Sequence, residues 1–196
     1  MHPFYLKGNE TIRLRFQTNG MILEGEQTPE NQALSQWEQA ATLVREHAFL
    51  YERFGGGYST DPATFTQELE DLLRVRQQLK PEKATGNATF NSLLKAKMEA
   101  DVDFYALAYL QRNAGNLSDT IRLSNYYQKM QPEKTLQQPA LLQLPYAGEM
   151  LRTYVWYKYG DPIELREAFK YKSTCLIDST FQQHYLYNEI RRFRYY

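Results

Sequence analysis

An Asn19-Gly20 pair set between two runs of alternating apolar and charged residues, Thr11 to Gly25, constrains this fold more than any other feature of the chain. Asn-Gly is the strongest short signal for a type I′ turn, because both central residues need positive φ. With a two-residue loop at that pair, Phe16 falls opposite Leu23, Arg15 opposite Glu24 and Arg13 opposite Glu26. One face of such a hairpin is apolar and the other carries cross-strand charge pairs. A lone two-stranded ribbon is marginal in water, so it must lie on other elements or join a sheet supplied by another chain. The rest of the sequence reads as helix, and the expected fold class is mainly α: an N-terminal β-hairpin followed by an array of about six or seven antiparallel helices.

Punctuation places the helices. Thr28-Pro29 and Asp61-Pro62 each pair a capping side chain with proline at the first helical position. The first opens a helix running to about Phe54, with Leu34, Trp37, Ala41, Val44, Ala48 and Tyr51 inward, and Gly55-Gly56-Gly57 stops it. The second opens a helix on Phe65, Leu69, Leu72, Leu73, Val75 and Leu79. A longer third helix is expected from Asn87 or Ala88 to about Asn113, with Leu94, Met98, Val102, Tyr105 and Tyr109 inward. Ser118 can cap a short fourth helix holding Tyr126 and Tyr127. Pro132 to Pro145 holds three prolines and reads as short turns, then a fifth helix covers Tyr146 to Tyr159. Asp161-Pro162-Ile163-Glu164 starts a sixth, and Asp178 can cap a last one from Ser179 to about Arg194. The organisation is a β-hairpin segment, 1–27, and a helical domain, 28–196, with a sub-boundary near 131–145.

Composition removes several classes of function. The 23 basic and 23 acidic residues cancel, which argues against gripping nucleic acid, a task driven by clustered Lys and Arg. The negative mean hydropathy leaves no run of about 20 apolar residues for a membrane span. Cys175 is the single cysteine, so no intrachain disulfide and no two-thiol redox cycle are expected; it reads as a small packing residue. Met1-His2-Pro3-Phe4-Tyr5 has neither a basic nor an apolar signal region, so the chain as it stands reads as cytoplasmic unless its address has been removed.

No group stands out as catalytic, cofactor-binding or metal-binding. His2, His47 and His184 are too scattered for a metal site. Glu99, Asp101 and Asp103 read as an exposed acidic face on the third helix, Glu99 and Asp103 sharing one side. The glycine run lacks the Gly-Lys-Ser/Thr ending of a phosphate loop. Among Tyr146, Tyr154, Trp156, Tyr157 and Tyr159, the rings of Tyr154, Trp156 and Tyr157 are the candidate ligand surface, suited to a glycan or a peptide. Arg191, Arg192 and Arg194 with Phe193, Tyr195 and Tyr196 make a basic aromatic end that suits docking on a following domain.

Tyr5-Leu-Lys-Gly-Asn-Glu-Thr-Ile-Arg-Leu-Arg-Phe, the Asn19-Gly20 pair, Glu26 to Asn31 and the long helix after them together resemble the region before the thioredoxin domain in TlpA-like thiol-disulfide oxidoreductases of Bacteroidetes. Leu141-Leu142-Gln143-Leu144-Pro145-Tyr146-Ala147-Gly148-Glu149 and Tyr154-Val155-Trp156-Tyr157 are similar to that family's helical segment. The family's Cys-X-X-Cys is absent from this chain. The resemblance therefore implies a non-catalytic accessory domain of periplasmic or cell-envelope proteins. Its partners would be another protein, a missing adjacent domain, or a second copy paired through the hairpin edge. The alternative is a free-standing α-helical binding protein that uses the Tyr/Trp surface.

Overall fold

The computed structural model describes residues 4–6, 13–17, 20–24, 28–49, 61–80, 85–113, 125–159, 176 and 179–193. Among them the chain is mainly helical. Helix α1 (Pro29–Phe49) begins where expected, the Thr28 hydroxyl accepting the Asn31 N–H at 3.3 Å. Helix α2 (Pro62–Gln78) is capped by Asp61, whose carboxylate accepts the Thr64 N–H at 3.0 Å. Helix α3 (Ala88–Arg112) is capped by Asn87, which accepts from the Phe90 N–H at 3.0 Å, and it ends at Asn113. Each such cap is worth about 0.5–2 kcal/mol. Helices α4 (Asn125–Lys129) and α5 (Pro132–Thr135), a 3-10 turn (Pro139–Gln143), α6 (Ala147–Tyr159) and α7 (Ser179–Phe193) follow. No helix among the described residues is long and apolar enough to cross a membrane.

Ahead of α1, residues Arg13–Gln17 (β1) and Gly20–Glu24 (β2) pair antiparallel, with Leu14 opposite Leu23, Phe16 opposite Met21 and Arg13 opposite Glu24. The expected partners, Phe16 with Leu23 and Arg15 with Glu24, are therefore wrong by two residues, and Gly20 is a strand residue opposite Gln17. A two-residue shift preserves the alternation of faces, so the apolar pattern is equally compatible with both registers. The expected reach of α1 to Phe54, the glycine run, the Ser118 cap, the helix from Asp161-Pro162, Cys175 and the Asp178 cap lie outside the described residues.

Helix α2 runs antiparallel to α3. Phe65 near its start stacks on Tyr109 near the end of α3, with ring centroids 3.9 Å apart, while Arg76 near its end acts on Asp103. Helix α1 runs parallel to α3, because Trp37 meets Asp101 and, further along both helices, Phe49 lies under Arg112. With α5, the 3-10 turn and α6 packed on it as well as its two neighbours in this up-down-up trio, α3 stands at the centre. Residues Ala100 to Tyr109 are buried on every side, as expected only of a helix surrounded by other elements. The turns between Pro132 and Pro145 are short as expected, and they close a further side of α3 with Leu136 and Leu141 buried. Helix α7 packs on α6 so closely that a Cβ added to Gly148 would stand 2.6 Å from Asn188 Cγ.

Candidate ligand-binding cavity

Charged residues on an all-round buried helix must find partners or lose several kcal/mol of hydration. Lys97, Asp101 and Asp103 on α3 and Glu38 on α1 are all at most 5% exposed. The expected exposed acidic face is therefore wrong: Asp101 and Asp103 are interior, and the three acidic residues serve three different neighbourhoods. Glu99 accepts from the Gln138 side-chain amide at 3.0 Å, whereas Asp101 and Asp103 each anchor a separate buried cluster.

The Asp101 cluster is built on one ammonium. Lys97 Nζ donates to Asp101 Oδ2 at 2.5 Å and to the Tyr146 hydroxyl, and it forms an ion pair with Glu38 Oε1 at 2.8 Å. Asp101 also accepts from Trp37 Nε1 at 2.8 Å and from the Tyr146 hydroxyl at 2.9 Å. Glu38 Oε2 accepts from Arg45 at 2.5 Å. Two cations thus face two carboxylates. Burial alone would lower the Lys97 pKa, but Asp101 and Glu38 outweigh it and hold it above the ordinary lysine value. Burial, reinforced by Asp101, pushes the Tyr105 and Tyr146 phenols well up. Lys97 and both phenols are consequently kept protonated, away from the near-neutral poise that proton transfer requires.

Around Asp103 the hydroxyls of Tyr126 on α4 and Thr135 on α5 donate to its two oxygens. Burial raises the Asp103 pKa, while these two bonds and Arg76 on α2 oppose the rise and Glu133 on α5 adds to it. The linkage has a definite sign. Folding here favours the protonated acid, so between the unfolded value of about 3.9 and the raised folded one, the Asp103 contribution grows as pH falls and is lost as pH climbs. Urea midpoints of the wild type and Asp103→Asn, compared from mild acid to neutrality, are expected to differ by an amount that changes across that window. A constant difference would contradict the shift.

A cavity of about 960 Å³ lies between α1, α3, the Gln143 to Tyr146 turn and the start of α6. Its wall on α3 follows one stripe, Phe90, Leu94, Lys97, Phe104, Ala108 and Arg112, which at 1.5 Å per residue is about 33 Å long. The facing stripe on α1 is Leu34, Glu38, Arg45 and Phe49. The volume is at the upper end for ligand sites, and the shape is elongated. Lys97, Glu38 and Tyr146 sit midway, Arg112 lies over the Phe49 ring at 5.2 Å, and Arg152 on α6 is paired with Glu149 at 2.8 Å.

Phe4 and Tyr5 also line the cavity. The Asn31 side chain, 5% exposed, accepts from the Tyr5 N–H at 2.8 Å and donates to the Tyr5 carbonyl at 2.9 Å. The Tyr5 hydroxyl accepts from Asn87 at 3.1 Å, and its ring meets Phe90 edge-on at 4.9 Å. This stretch of main chain is thus held by one side-chain amide, two helix starts and one aromatic ring.

The residues singled out from sequence are placed elsewhere. Tyr154 is a core side chain, Trp156 is half-buried and Tyr157 is exposed; none of the three lines the cavity, and a buried Tyr154 cannot offer its ring to solvent. His47 Nδ1 lies 2.6 Å from Glu68 Oε2, joining α1 to α2, and no group of three metal-type ligands occurs among the described residues. Glu38, Lys97 and Asn31 were not anticipated, and Trp37 was expected inward but not as a hydrogen-bond donor to Asp101. The local signal for Lys97 and Asp101 was their spacing, since a cation and a carboxylate four residues apart share one side of a helix. Set against known protein families, curated proteins and solved structures, the chain matches none of them.

Proposed function

We propose that this protein is a non-catalytic helical binding module that takes an elongated, largely apolar ligand in the cavity between α1, α3 and α6. The observation that carries this reading is the stripe of about 33 Å along α3, walled largely by aromatic and aliphatic side chains, with Lys97 and Glu38 in its wall held in a buried ion pair. Such a site offers shape and contact rather than a poised acid, base or nucleophile. The resemblance to the region preceding the thioredoxin domain of TlpA-like proteins supports an accessory role beside such a domain, in the periplasm or cell envelope, with the N-terminal β-hairpin as the joining element. The Gln143 to Tyr146 part of that resemblance is cavity wall. The alternative glycan or peptide surface on Tyr154, Trp156 and Tyr157 has less support, because Tyr154 is in the core.

Titration with anilinonaphthalene sulfonate, an apolar fluorescent probe, tests the cavity. Saturable one-site binding to the folded chain is expected. Leu94→Trp, which puts an indole into the α3 stripe between Phe90 and Lys97, is expected to weaken it at least roughly tenfold with the helical circular dichroism unchanged. Binding that is absent, or indifferent to that variant, would remove the reading.

A further inference from the structure

We infer that the Asn31 end of the cavity is a peptide-backbone subsite, occupied in this structure by the chain's own Phe4 to Leu6 and open to an extended, tyrosine-containing segment of a partner protein that displaces them. The inference rests on the cavity reading above and names its ligand class. Asn31 presents one acceptor and one donor to the N–H and carbonyl of a single residue, Tyr5. That is recognition of main chain, in which any residue but proline could satisfy the amide, with specificity left to the side-chain pocket. Here the pocket is Phe90 and Asn87, which take the ring and the hydroxyl of Tyr5.

The present occupant is shallowly held. Of the three residues, Tyr5 alone is anchored: Phe4 is 39% exposed and Leu6 is 53% exposed, so two large apolar side chains gain little from the docking. The groove meanwhile continues past Tyr5 along the α3 stripe toward Lys97 and Arg112. A longer peptide would make the Asn31 contacts and add contacts further along, which Phe4 to Leu6 do not reach. The polar groups distributed on the walls, Gln111, Gln143 and Thr153 among them, suit a ligand that carries backbone amides along its length better than a uniform hydrocarbon chain.

The probe is a fluorescein-labelled peptide copying residues 2–8, His-Pro-Phe-Tyr-Leu-Lys-Gly, added to the full chain and followed by anisotropy. Tyr5→Ala in the protein weakens the resident competitor and is expected to tighten binding of the labelled peptide roughly tenfold, because the competent fraction rises. A second peptide, N-methylated at its tyrosine, lacks the N–H that Asn31 accepts and is expected to lose most of that affinity although every side chain is retained. The second probe needs no protein variant, so misfolding cannot mimic its result. Equal binding of both peptides, or no binding to Tyr5→Ala, overturns the inference. Self-association of the chain by sedimentation at the same concentrations, with the peptide excluded, would assign the subsite to a second copy and also overturn it. Anilinonaphthalene sulfonate binding that persists while peptide binding fails would discard the peptide and leave the cavity; loss of both would discard the two together.

Discussion

Lys97→Ala is expected to lower the unfolding free energy by about 3–5 kcal/mol, the usual penalty for removing one partner from a buried ion pair. The truncation leaves Asp101 and Glu38, both essentially without solvent contact, with Arg45 as the one cation bonded to the pair and the neutral Trp37 and Tyr146 donors on Asp101 as the other compensation. The Tyr146 hydroxyl loses a donor at the same time. If uncompensated charge is the cause, adding Asp101→Asn to Lys97→Met should restore much of the loss, because Arg45 and Glu38 then remain as one cation facing one carboxylate and the new amide still accepts a hydrogen bond. Urea denaturation of Lys97→Ala and of the Lys97→Met, Asp101→Asn double variant checks both statements. A double variant no more stable than Lys97→Ala would show that packing, and not charge, sets the penalty.

Phe65→Ala should cost a similar amount, about 3–5 kcal/mol, for an unrelated reason. Phe65 is fully buried and lies nearly parallel to the Tyr109 ring, 7° between planes at 3.9 Å. Removing it empties a ring-sized volume between α2 and α3 and forfeits an aromatic contact worth about 0.5–1.5 kcal/mol beyond area alone. Phe65→Leu keeps most of the volume, so its loss should be well under half as large. Thermal or urea unfolding separates the two. Because Phe65 and Lys97 share none of the contacts described here, the double variant should show additive losses within a few tenths of a kcal/mol.

The contrast between these residues shows what the order of amino acids made legible. Asp61, Asn87 and Thr28 act within three residues of themselves, and local chemistry suffices to place the starts of α1, α2 and α3. The core stripe of α1 was equally readable, since Leu34, Trp37, Ala41, Val44 and Ala48 recur at helical spacing and are buried. The Asp101 cluster is different: Trp37 and Asp101 are 64 residues apart, and nothing local states that the two helices run side by side. Periodicity also misleads once a helix is covered on all sides, because the polar face it seeks is absent and a carboxylate there is taken for a solvated one. The Tyr5 clamp depends on a side chain 26 positions away, beyond the reach of any spacing rule. For β1 and β2, the alternation specified faces but left the register to the turn.

Full enclosure of the middle of α3 also separates two kinds of breathing. The amide protons of Ala100 to Tyr109 lie under α1, α2, the turns after α4 and α6, so their exchange with solvent should require opening of the whole body. The Tyr5 amide hangs on one asparagine oxygen at the rim and can exchange through an excursion that leaves every helix intact. On the proposed reading, access to the cavity would then be decoupled from global unfolding, and a ligand would exchange many times within the lifetime of a single α3 amide proton.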